Sequence, residues 1–110
     1  MKTEEDYVEM INQKIDEFWK VENVQSFSET DKERIRAAYE LAREAHSSQK
    51  RKTGEPYIIH PIAVATIVAK DFELGVNPII AAFLHDVVED TRYSIDDIKE
   101  KFGSDVAFLV

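Results

Sequence analysis

The sequence predicts an all-α fold, a helical bundle of about five to six helices forming one domain. Three observations predict it. Apolar residues recur at three- and four-residue steps along most of the chain. No stretch shows the apolar–polar alternation of a half-buried strand. Helix punctuation stands at the segment boundaries: Thr30-x-x-Glu33, Ser94-x-x-Asp97, Asn77-Pro78, Gly75 and Gly103. With 110 residues, the chain can build a single core with little to spare.

Val8, Ile11, Ile15 and Phe18 give a first helix one apolar face, with Trp19 beside it. Val21 to Phe27 reads as a connection. Thr30-x-x-Glu33 is a capping-box pattern and should open a second helix, whose inner face is Ile35, Ala38, Tyr39, Ala42 and Ala45. Lys50-Arg51-Lys52 and Gly54-Glu55-Pro56 break it. Pro61 suits the first turn of a third helix, where its missing N–H does no harm. Ile62 to Ala69 is apolar on nearly every side, so this helix should be central and buried. Asn77-Pro78 then serves as cap and first turn for a fourth helix, Ile79 to about Glu89. Ser94-x-x-Asp97 caps a short fifth helix that stops at Gly103, and a sixth starts near Ser104. The apolar tail Val106-Ala107-Phe108-Leu109-Val110 would normally continue into a packed helix. The domain is therefore expected to be shortened at its C-terminal end.

Composition excludes several function classes. There is no cysteine, which removes disulfides and thiolate metal sites. The acidic N-terminus lacks the apolar core of a signal peptide, and no apolar run reaches the roughly 20 residues of a membrane span. A soluble, cytoplasmic protein is expected, with no membrane partner. A net charge of −8 argues against nucleic-acid binding, which depends on neutralising many phosphates. The charge is uneven, however. Residues 1–33 are strongly acidic, whereas Lys50-Arg51-Lys52 lies in a stretch with no acidic residue between Glu44 and Glu55.

Chemistry concentrates in His85-Asp86-Val87-Val88-Glu89-Asp90. On a helix His85 and Glu89 share one side, as do Asp86 and Asp90. Several polar groups thus meet at the end of an otherwise apolar helix, where either a solvated helix end or a bound cation would account for them. Imidazole with carboxylate suits a first-row divalent metal. His60, at the mouth of the third helix, is either a hydrogen-bonded core residue or a further ligand. His46 has no comparable companions and reads as structural. A divalent ion held by His60, His85 and Asp86 would leave positions for water and a phosphate oxygen. Glu89 and Asp90 could orient that water or take its proton. The 50–52 cations would meet a polyphosphate. There is no P-loop, G-x-S-x-G or cysteine to support other chemistries.

These residues carry a resemblance. Ala42-x-x-Ala45-His46-x-x-Gln49-x-Arg51-Lys52-Thr53-Gly54-Glu55-Pro56-Tyr57-Ile58-Ile59-His60-Pro61 closely resembles the start of the RelA/SpoT hydrolase domain, a helical HD-domain bundle. Phe83-Leu84-His85-Asp86-Val87-Val88-Glu89-Asp90-Thr91 and Phe102-Gly103-x-Asp105-Val106 resemble two further segments of that domain. The match covers about residues 35–110; residues 1–30, a helix and a connection, carry none of it. The resemblance implies removal of the 3′-pyrophosphate of (p)ppGpp, leaving GDP or GTP. It implies manganese on His60, His85 and Asp86, with Glu89 and Asp90 serving the attacking water. Arg51, Lys52 and Thr53 would lie by the guanosine polyphosphate, and Tyr57 would shape the pocket. The family's fourth metal ligand, an aspartate well downstream of the His-Asp pair, has no counterpart among these residues and is expected beyond residue 110. The alternatives are an HD phosphohydrolase of another nucleotide and a helical module that binds nucleotide or a regulatory partner without turnover. Self-association through the apolar tail is also expected.

Overall fold

The computed structural model describes residues 2–50, 54–71 and 74–110. Among them seven helices follow one another: α1 (Glu4–Trp19), α2 (Glu22–Gln25), α3 (Glu29–Ala45), α4 (Ile59–Ala69), α5 (Val76–Asp90), α6 (Ile95–Phe102) and α7 (Ser104–Leu109). No strand occurs among the described residues, only an isolated antiparallel bridge between Lys50 and Pro56. The all-α expectation holds. The extra helix is α2, a single turn inside the expected connection, formed where Val24 is driven fully into the core.

α5 is the hub, packed against α3, α4 and α7, while α1 covers another side of α4 and α6 pairs with α7. Phe83 on α5 meets Phe18 of α1 and Tyr39 of α3 edge-on, with ring centroids 5.2 and 5.9 Å apart. Such geometry adds to the burial of the rings themselves. Ile35, Ala38, Ile62, Ala65, Ile80, Leu84, Ile98 and Val106 fill the surrounding space and are essentially inaccessible. Two apolar expectations need correction. α4 is not the central helix: flanked by α1 and α5, it leaves its other side to water, and Ile67 is 71% exposed. Val8 likewise is 45% exposed, unlike Ile11, Ile15 and Phe18. It lies where α1 runs past α4 and borders a cavity of about 250 Å³, walled also by Tyr7, His46, Lys50 and Pro56.

The helix starts follow local chemistry, with two shifts. Ser94 and Asp97 form the expected reciprocal cap of α6, and Thr3 with Asp6 does the same for α1. α3 opens at Ser28 rather than Thr30: the Ser28 hydroxyl accepts from the Asp31 N–H at 3.1 Å. Starting two residues early brings Phe27 against the core. α5 begins at Val76 because Gly75, at φ +73°, turns the chain before Asn77 can cap it. Pro78 still falls in the first turn, where no N–H is needed. Gly103 ends α6 as expected, at φ +97°.

The helix ends depend on distant residues. The last carbonyls of α4, α5 and α6 belong to Ala69, Asp90 and Phe102, and each accepts from a side chain elsewhere. The donors are Asn23 at 3.0 Å, Gln49 at 2.8 Å and Arg34 at 3.2 Å. Such carbonyls have no partner within their own helix.

Candidate active site

α5 buries Ile79, Ile80, Ala81, Phe83, Leu84 and Val87, then emerges from the core. His85, Glu89 and Asp90 are therefore exposed, while Asp86, one turn before the end, is half-buried. The carboxylates gather at the negative end of the helix dipole, the less favourable end for them. Such an arrangement favours a cation or strong hydrogen-bond donors nearby. One donor is present: the Tyr57 hydroxyl gives its proton to Asp86 Oδ2 at 2.7 Å. His85 Nδ1 stands 4.0 Å from Asp86 Oδ1.

His60 lies in the first turn of α4, its ring 6.0 Å from the Tyr57 ring and roughly edge-on. Tyr57 thus links His60 on α4 to Asp86 on α5. The Lys50–Pro56 bridge and the Tyr57 N–H to Gln49 carbonyl bond (3.0 Å) close the neck of the basic loop. Arg51, Lys52 and Thr53 themselves lie outside the described residues.

The donor types fit a first-row divalent ion, yet no three His, Asp or Glu side chains come together as a metal-binding group among the described residues. His85 is turned largely to solvent, its side chain 64% exposed. The chain presents the His85–Asp86 pair with His60 across Tyr57, not a closed set of ligands.

His46 has the surroundings of a structural residue. It is 2% exposed, and its ring packs 4.8 Å from the Tyr57 ring. Its Nδ1 lies 2.7 Å from Gln49 Oε1. Gln49 Nε2 in turn donates to the Asp90 carbonyl. The only local hint was the His46-x-x-Gln49 spacing; the reach from Gln49 to Asp90 spans 41 positions, which no local pattern signals.

Helical architecture and the His-Asp pair at the end of the hub helix together define a class. Residues 38–110 match the HD domain, and the chain belongs to that family. It is similar to the guanosine-3′,5′-bis(diphosphate) 3′-pyrophosphohydrolase of Aquifex aeolicus, 58% identical over 80 residues, covering 71% of this chain and 11% of that protein. The bifunctional (p)ppGpp synthase/hydrolase SpoT of Escherichia coli is 51% identical over 77 residues, 70% of this chain and 11% of that protein. A GTP pyrophosphokinase of Streptomyces coelicolor is 50% identical over 78 residues, 69% of this chain and 9% of its own length. The chain therefore spans about a tenth of the length of these curated relatives.

Proposed function

We propose that this domain hydrolyses the 3′-pyrophosphate of (p)ppGpp in the cytoplasm. The observation that carries the reading is the His85-Asp86…Glu89-Asp90 end of α5, joined through Tyr57 to the basic loop, in a chain 58% identical to a protein named for that reaction. Water forms a bond to the phosphorus on the 3′ oxygen, the phosphorus–O3′ bond breaks, and pyrophosphate leaves as the 3′ oxygen takes a proton. Glu89 and Asp90, exposed beside Asp86, would orient that water and accept its proton. Arg51, Lys52 and Thr53 would hold the polyphosphate, supplying the positive charge that the acidic helix end lacks. Tyr57 would hold Asp86 in one orientation and form part of the pocket wall.

His60, His85 and Asp86 would hold manganese. When bound, the cation supplies Lewis-acid stabilisation of charge on the phosphate. A second reading, nucleotide binding without turnover, is favoured by one observation: three ligands do not gather among the described residues.

Pyrophosphate release from ppGpp, with and without manganese, tests the choice when this chain is compared with a version extended by one helical hairpin. Turnover that needs manganese is expected, at least in the extended chain, and His85→Ala should abolish it. Silence from both chains, with ppGpp still bound, would replace the hydrolase by the binding module.

A further inference from the structure

The Gln49 side chain ties the last carbonyl of α5 to the residues that lead into the basic loop. A carbonyl can only accept, so the 2.8 Å bond to the Asp90 oxygen requires the Gln49 NH₂ on that side. Its Oε1 then faces His46 Nδ1 at 2.7 Å, which must carry the proton. The network therefore fixes both the amide orientation and the histidine tautomer. Among the described residues His46 Nε2 is buried with no hydrogen-bond partner, and the ring's polar contact is Nδ1 to Gln49. The same ring supports Tyr57, which bonds Asp86. His46 thus stands behind two arms, one reaching Asp86 and one reaching Asp90.

Resting on the hydrolase reading, we propose that Gln49, oriented by His46, is a positioning residue that holds the α5 end bearing Glu89 and Asp90 in register with Tyr57 and Asp86. Gln49 immediately precedes the neck of the basic loop, and its backbone carbonyl accepts from Tyr57 N–H at 3.0 Å. The two functions of Gln49 are separable. Its backbone closes the loop, and its side chain caps α5. Replacing the side chain leaves the backbone bond at the loop neck in place, frees the helix end and takes from the buried His46 Nδ1–H its partner. Loss should therefore fall on kcat and leave KM for ppGpp within about twofold. A displacement near 1 Å of the acid–base groups costs about 10- to 100-fold.

The test uses this chain and the extended chain with ppGpp as substrate, comparing Gln49→Ala, His46→Leu and His46→Asn. The asparagine NH₂ can replace the Nδ1–H donor, so His46→Asn should recover most of the rate lost in His46→Leu. A fall in kcat of about 10- to 100-fold in Gln49→Ala, measured well below its Tm and with KM held, together with rescue of His46→Leu by His46→Asn, supports the proposal. Unchanged kcat overturns it, as does a loss that follows Tm or appears equally in KM. Hydrogen exchange at Asp90 and Thr91 gives a readout independent of turnover. Exchange at these two amides about tenfold faster in Gln49→Ala, beyond any change in global protection, locates the effect at the α5 end. If the wild type does not hydrolyse ppGpp, the hydrolase reading fails by itself. Unchanged exchange would then also dismiss Gln49 as a positioning residue.

Discussion

At the scale of single residues, hydrogen-bond direction carries much of the information. Tyr57 can donate only one proton, and it gives it to Asp86, which leaves that carboxylate oriented and half-buried while its neighbours stay in water. A second oriented carboxylate is Glu44, which accepts from Tyr93 at 2.8 Å and Arg92 at 3.0 Å. The Tyr93 hydroxyl chiefly, and then Arg92, hold the Glu44 carboxyl below its ordinary 4.5. A lowered folded pKa means that the associated stabilisation is present above the ordinary value and lost as pH falls through the lowered one. The contact is exposed, so the effect on global stability is small. An NMR titration should place the Glu44 midpoint below 4.5, and Tyr93→Phe should move it back up. A Glu44 midpoint unaffected by Tyr93→Phe would mean that the bond is not kept in solution.

At the scale of elements, helix starts are local and helix ends are not. Ser28, Thr3 and Ser94 each cap the helix that follows within three residues, so short sequence patterns find them or miss by a turn. Asn23, Gln49 and Arg34 cap helix ends from other elements, 41 to 68 positions away in sequence. Replacing Asn23 by alanine should leave the Ala69 carbonyl without its side-chain partner and cost about 1 kcal/mol. Urea unfolding with an unchanged m-value checks this; no loss of stability would show that water serves that carbonyl equally well.

At the scale of the whole molecule, the chain carries a net charge of −8, and no helix among the described residues is long and apolar enough to cross a membrane. The apolar surface is unevenly spread. Phe108 is 88% exposed and its neighbour Leu109 49%, two adjacent apolar side chains at the end of α7. The chain is expected to self-associate as its concentration rises, and Phe108→Asp should suppress that. Size-exclusion with light scattering decides it: a monomer throughout the concentration range would remove the idea.

The all-α class, most helix boundaries and the His85-Asp86…Glu89-Asp90 cluster were legible because they rest on periodicity and on spacing within one helix. The choice of hub was not legible. α4 has the more uniformly apolar sequence, but α5 takes the centre because it alone packs against α3, α4 and α7 together. The site was legible in its residue types and less so in its connections. Tyr57 reaches Asp86 across 29 positions, and Gln49 reaches Asp90 across 41. By itself the sequence determined which side chains are chemically able to act, since residue type and helical period are local properties. Which of them touch was decided only by tertiary packing, because a hydrogen bond between distant elements depends on where the buried apolar faces force those elements to meet.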